Sequence, residues 1–271
     1  MINGNFVKPF GLNFIRMLFT SIILWLFYLL NPQKEKIIKA DYGRLISCAL
    51  LGIVINQLLF IKGLSTTYSI HGALLMLTTP IFITIIAASL LKEKISNNKK
   101  AGLIMGIIGA AVLVLSRKNT GTASDVFLGD MLIILNAISF SCFFVLVKPL
   151  MHKYNTITVI RMIFTIGTFI AFPICWPEFS AIEWSSFSHT QFEVVILIVF
   201  GGTVLTYLFN VYGIKHLGPT ISGSYIYTQP VFATIIAIVY LGESLELYKV
   251  VSAFFIFLGV YLARRNRVNT N

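Results

Sequence analysis

Apolar side chains follow one another in this chain for longer than a water-exposed surface tolerates. Residues 81–91 carry only Thr84 and Ser89 as polar side chains, and residues 101–115 carry none. A soluble domain is about half apolar and about a quarter charged. Here 57% of residues are apolar and 11% charged, so too few polar groups exist to cover the surface of a soluble fold. The runs are continuous rather than alternating, which argues against the strands of a membrane β-barrel. The reading is an all-α polytopic membrane protein.

A spanning helix takes about 20 residues and a short connection about 5–10 more, so this length holds about nine spans. They are expected near residues 10–30, 45–61, 70–91 and 101–115, then 129–147, 158–176, 192–212, 221–241 and 250–263. In the first, Arg16 precedes an apolar stretch from Met17 to Leu30 and no small-residue cleavage site comes after it, so it reads as a retained helix rather than a signal peptide.

The excess of 21 Lys and Arg over 10 Asp and Glu would suggest nucleic acid in a soluble protein. In a membrane protein it reads as loop charge that sets topology, and no nucleic-acid partner is expected. Cys48, Cys142 and Cys175 lie inside apolar runs without metal or pairing spacing, so they read as packed hydrophobes.

The chain repeats itself at an offset of 150 residues. Gly63 falls on Gly213, Pro80 on Pro230, Glu93 on Glu243, Gly109 on Gly259 and Arg117 on Arg267, while Thr84-Ile85-Ile86-Ala87 falls on Thr234-Ile235-Ile236-Ala237. Glycine, proline and glutamate in register point to duplication, with one repeat over residues 1–117 and the other over 129–267. Equivalent loops carry opposite charge bias. Lys34, Lys36, Lys39 and Arg44 follow the first span, whereas 177–191 has no Lys or Arg. Lys92, Lys94, Lys99 and Lys100 precede residue 101, whereas 242–249 has only Lys249. Basic loops stay cytoplasmic, so the halves read as inverted repeats, with Arg264, Arg265 and Arg267 in the cytoplasm. The second copy holds five of the expected spans and the first four, so the chain reads as lacking the first helix of its first repeat.

Inverted repeats around a midplane site are the architecture of secondary transporters. No metalloprotease, nucleophile-elbow or P-loop motif occurs, and His71, His152, His189 and His216 fall near span ends. No enzyme activity, cofactor or metal is expected.

Leu77-Thr78-Thr79-Pro80-Ile81-Phe82, followed by Leu90-Leu91-Lys92-Glu93, resembles one copy of the EamA domain. Tyr227-Thr228-Gln229-Pro230-Val231-Phe232, followed by Leu241-Gly242-Glu243, resembles a second. Pro9 to Arg16 is similar to the family's approach to its second helix, and Arg161 resembles Arg16 in the other half. The resemblance implies the drug/metabolite transporter superfamily: ten helices as two inverted five-helix repeats, exporting small molecules. This chain departs from the pattern by lacking the first helix, and by Lys92 where the family favours Gly.

Polar residues inside apolar runs are the candidate cavity lining, since each costs energy against lipid. In the first half these are Asn56, Gln57, Thr78 and Thr79. In the second they are Asn136, Ser139, Thr206, Tyr207, Asn210, Ser224, Tyr227, Thr228 and Gln229. Asn56 and Gln57 fall on Thr206 and Tyr207 at the repeat offset. The alternative role for such residues is interhelical hydrogen bonding. Pro80 and Pro230 are expected to kink their helices. Glu93 and Glu243 follow a span at the start of the next helix, where a carboxylate suits the helix dipole. Arg16 and Arg161 lie near span starts and are expected to snorkel to an interface.

The expected function is secondary, alternating-access export of small organic metabolites or drugs across a prokaryotic inner membrane. The expected partners are a small solute and the bilayer. The alternative is a membrane protein that does not transport, either a truncated remnant or a partner-dependent subunit.

Overall fold

The computed structural model describes residues 7–30, 35–115, 124–241 and 247–265. The expectations attached to Lys34, Arg117, Glu243 and Arg267, and to the side chains of Arg264 and Arg265, fall outside them. Every regular element among the described residues is helical, as lipid demands of a backbone that must satisfy its own hydrogen bonds.

Helix α1 is Pro9–Leu30. Helices α2 (Tyr42–Ala49) and α3 (Ile55–Thr66) continue one another through a π-helical segment, Leu50–Val54. Then come α4 (Ser69–Met76), α5 (Thr79–Leu91), α6 (Asn97–Leu115), α7 (Val126–Lys153) and α8 (Thr156–Ser180). Helices α9 (His189–Val199) and α10 (Thr206–Leu217) are again joined by a π segment, Phe200–Leu205. Helix α11 (Pro219–Ser224) leads through a 3-10 turn, Tyr225–Thr228, into α12 (Gln229–Leu241), and α13 is Leu247–Arg265.

Six helical stretches among the described residues are long and apolar enough to cross a membrane: Pro9–Leu30, Lys39–Thr66, His71–Leu91, Val126–Lys153, Thr156–Ser180 and His189–Leu217. Leu247–Ala263 is a shorter apolar helix. Phe169, Leu197, Phe209 and Leu247 stand exposed on these helices, where lipid tails cost an apolar side chain nothing.

The stretch expected as one helix over 70–91 is broken. Leu77 N and Thr78 N donate to the carbonyls of Leu74 and Leu75, three residues back, at 3.1 and 3.0 Å. Pro80 therefore sits in the first turn of α5, where its missing N–H has no bond to lose. Pro230 has the same place in α12. The bend thus comes one turn before each proline, at the break itself. Helix α8 continues through Pro173 and Pro177 to Ser180, beyond its expected end.

The offset of 150 reappears in the element boundaries. Adding it to Thr79–Leu91 gives Gln229–Leu241, and adding it to Asn97–Leu115 gives Leu247–Arg265. The two π segments match as well, both starting at the offset.

Contacts divide the chain into two compact units. One comprises Met1–Ile61 and Leu146–His216, the other Lys62–Val145 and Leu217–Asn271. In the first unit α1 packs on α8 antiparallel. Gly11 lies against Glu178, Ser21 Oγ is 3.2 Å from Thr165 Oγ1, and Trp25 Nε1 donates to Thr165 at 3.0 Å. In the second unit α6 packs on α13 antiparallel. Gly102 lies against Gly259 and Ala263, and Gly109 against Ser252 and Ile256. A Cβ on any of these glycines would strike the partner helix's backbone. Close backbone approach through small residues is how helices bind one another in lipid.

Carboxylates cap the helices of the first unit. Glu178 accepts from Phe10 N (2.8 Å) and Gly11 N (3.1 Å) at the start of α1, and Glu35 accepts from Asn155 N (2.6 Å) at the start of α8. Each satisfies orphan amides and meets the positive end of the helix dipole.

Candidate functional site

A π segment carries one residue more per ring than the α-helix and displaces its own carbonyls, which is why such segments recur at functional sites. In the first unit both π segments supply groups to one polar cluster. Tyr207, just past the second segment, donates its hydroxyl to the Gly52 carbonyl of the first at 2.9 Å. The Gln57 amide hydrogen-bonds the same hydroxyl. The Phe164 ring packs edge-on against the tyrosine at 4.9 Å. Thr203 Oγ1 donates to the Ile198 carbonyl, five residues back, at 3.1 Å, and accepts from Arg16 Nε at 3.0 Å. Gln57 Oε1 is buried with no donor.

The cluster therefore joins Gln57 and Tyr207 to Arg16, Thr203 and Gly52. Thr206 is exposed, and its hydroxyl is taken by the Gly201 carbonyl at 3.1 Å. Asn56 and Asn210 are half-buried in the same unit.

In the second unit the nominated residues sit at the two helix breaks and on α7. Thr78, Ser224 and Thr228 each donate to a carbonyl three residues back, at 2.6, 2.7 and 2.7 Å. These bonds make up for ones the breaks remove. Thr79 is fully buried; its carbonyl accepts from Ser141 Oγ at 3.2 Å, while its own hydroxyl has no partner. Asn136 and Ser139 are buried on α7 and engaged in polar contacts. The Tyr227 ring fills the space Gly106 leaves on α6, and its hydroxyl is buried without a partner. Gln229 is exposed at the start of α12.

Several partnerships escaped sequence reading. Arg161 does not snorkel. It is 5% exposed, with its guanidinium 4.0 Å from the Trp25 ring centre and 3.8 Å from that of Tyr28. Asp130 accepts from the Thr67 hydroxyl and pairs with His71 Nδ1 at 3.1 Å. Glu93 accepts from Thr220 Oγ1 at 2.7 Å in the first turn of α11, with Lys99 Nζ at 3.8 Å. Apart from Glu93 and Lys99, six residues apart, these partners lie tens to over a hundred residues from one another, and no sequence signal links them. Among the described residues no three His, Cys, Asp or Glu side chains assemble as a metal site.

Two open clefts lie on the first unit. One of about 420 Å³ is lined by Asn155, Thr156, Ile157, Leu208, Phe209, Tyr212, Lys215 and His216. The other, about 340 Å³, is lined by Phe19, Ile23, Trp184, Phe192, Val195, Ile196, Val199 and Phe200 and is almost wholly apolar. Neither includes a residue nominated from the sequence.

Residues 2–115 and 127–265 each match the EamA-like transporter family. An uncharacterized transporter of Archaeoglobus fulgidus is 23% identical over 94% of this chain and 88% of its own length. The uncharacterized transporter YetK of Bacillus subtilis is 23% identical over 92% of this chain and 76% of its own. A WAT1-related protein of Arabidopsis thaliana is 22% identical over 94% and 79%. A solved crystal structure superposes with a TM-score of 0.79 at 17% identity, covering 96% of this chain and 88% of that one, a likeness of fold.

Proposed function

Because this chain belongs to the EamA-like transporter family and is a multi-pass membrane protein, we propose that it is a secondary transporter. It exports small organic solutes across an inner membrane by alternating access between two inverted repeats, residues 1–117 and 129–267, with its C-terminus in the cytoplasm. It acts as a carrier, not as an enzyme.

The observation that carries this reading is the contact pattern of α6 and α13. Gly102 meets Gly259 and Gly109 meets Ser252. Adding 150 to the first member of one pair and subtracting it from the second returns the other pair. Contacts that map onto themselves in this way are what a two-fold between antiparallel copies requires. The mechanical consequence is that each copy can adopt the other's conformation, so that an inward-open state has an outward-open mirror state. The solute-binding groups are drawn from the nominated set, with Gln57 and Tyr207 at its best-defined point.

Cells expressing the intact chain should retain less of at least one solute from a broad panel of amino acids, nucleosides and dyes than cells without it. Equal retention across the panel overturns the reading. A cysteine at Ser188 should label from outside the cell and one at Asn97 should not; the reverse pattern overturns the orientation.

A further inference from the structure

An arginine inside a membrane segment needs partners for its charge and for five N–H donors. Two of the first unit's three arginines, Arg16 and Arg161, are at least partly buried and meet that need differently. Arg161 is covered by the π faces of Trp25 and Tyr28, which attract a desolvated cation. Arg16 is half-buried and makes one hydrogen bond, from Nε to Thr203 Oγ1 at 3.0 Å.

Three of the five described carboxylates of the first unit are committed elsewhere. Glu178 holds the first amides of α1, Glu35 holds Asn155 N, and Asp41 takes Lys153 Nζ at 2.9 Å and Tyr154 OH at 2.8 Å. Among the described residues no carboxylate pairs with Arg16; the Tyr207 hydroxyl, itself bonded to the Gly52 carbonyl, acts on the guanidinium electrostatically, and the one hydrogen bond the guanidinium makes is from Nε. Its terminal nitrogens form the planar fork that grips a carboxylate with two parallel bonds. Thr203 is itself held by the Ile198 carbonyl, so the Nε bond fixes the plane of the fork before any ligand arrives. Preset geometry of this kind lowers the cost of binding.

We propose that the terminal guanidinium nitrogens of Arg16 bind the carboxylate of an organic anion, making carboxylic acids the solute class of the carrier. The inference rests on the transporter reading. It gives the charge in the membrane a counter-ion that arrives and leaves with each cycle.

The test is ligand binding to the purified full-length chain in lipid nanodiscs, using butyrate and benzoate against butyramide and benzamide. Each amide matches its acid in shape and lacks its charge. The wild type should bind each acid at least tenfold more tightly than its amide. Arg16→Gln should lose that preference, and Arg16→Lys should keep the charge but bind the acids at least fivefold more weakly than the wild type. Arg44→Gln, at an exposed arginine, should bind as the wild type does. Equal binding of acids and amides, no binding of either acid, or an undiminished preference in Arg16→Gln overturns the proposal. If Arg16→Gln does not fold, wild-type acid affinity in Arg16→Lys overturns it. Uptake of benzamide into vesicles is measured in parallel. Benzamide carried without acid preference sinks this inference and leaves the transporter reading intact, whereas acid binding without any flux does the reverse.

Discussion

Gly102 and Gly259 face one another across the crossing of α6 and α13, each exactly where a side chain of the other would have to go. A Cβ built on Gly259 would lie 2.6 Å from the Gly102 carbonyl oxygen and 2.8 Å from Gly106 N. Both obstacles are backbone, so neither can swing aside.

Gly259→Ala should therefore lower the melting temperature of the detergent-solubilised protein by several degrees, for a cost of about 1–3 kcal/mol. Gly202→Ala is the control, since nothing lies within 4 Å of a Cβ there. Thermal unfolding followed by size-exclusion chromatography reads both. Equal melting of the two variants would remove the glycine crossing as a source of stability.

Tyr227 separates ring from hydroxyl. Its side chain is 0% exposed, the ring packs against Gly106, and the hydroxyl has no partner. An unsatisfied buried hydroxyl is a cost, so Tyr227→Phe should melt at or above the wild-type temperature. Tyr227→Ala empties the socket and should cost about 3–5 kcal/mol, as large-to-small core changes do. A Phe variant that melts well below wild type would mean the hydroxyl has a partner.

Tyr207→Phe removes the bond to the Gly52 carbonyl and should cost about 1 kcal/mol. If the cluster lies on the solute path, it should also slow transport beyond what its membrane level explains. Asn210→Ala and Gln229→Ala test the half-buried and exposed members of the nominated set by the same flux assay. Unchanged flux in all three would move the site away from these residues.

Lys92 ends α5 in the left-handed region, at φ 54°, a conformation that costs a residue with a Cβ about 1–2 kcal/mol. Glycine adopts it freely but loses more entropy on folding. The balance favours Lys92→Gly by about 0.5–1 kcal/mol, read as a rise in melting temperature. A fall would show that the lysine side chain contributes more than the strain removes.

The repeat offset was legible in the sequence because Gly, Pro and Glu recur in register, and it reproduces the ends of α5, α6, α12 and α13. Pro80 and Pro230 were expected as kinks within longer helices, whereas each lies in the first turn of a helix and the turn before it tightens. That step is made by Thr78 and Thr228 hydroxyls bonding back to carbonyls, which a threonine in any helix can do. Gln57 and Tyr207 were recognisable as polar groups at matched positions. Their meeting at Gly52 was not, because a π segment has no composition of its own and the bond spans 155 residues. Arg161 was misjudged for a related reason. Its depth along α8 suggested an interface, whereas Trp25 and Tyr28, far away in sequence, supply the faces that let it stay buried.

The two π segments begin at the same offset, Leu50 and Phe200, and each lies just ahead of a polar pair, Asn56-Gln57 or Thr206-Tyr207. An inserted residue turns the rest of a helix by about 100°. Each extra residue thus acts as a setscrew on the direction its polar pair faces, and both copies carry it. Deleting one residue from Leu50–Val54 would leave every downstream side chain of α3 in place along the axis to within one residue's rise, yet swing Gln57 a quarter turn and more away from Tyr207.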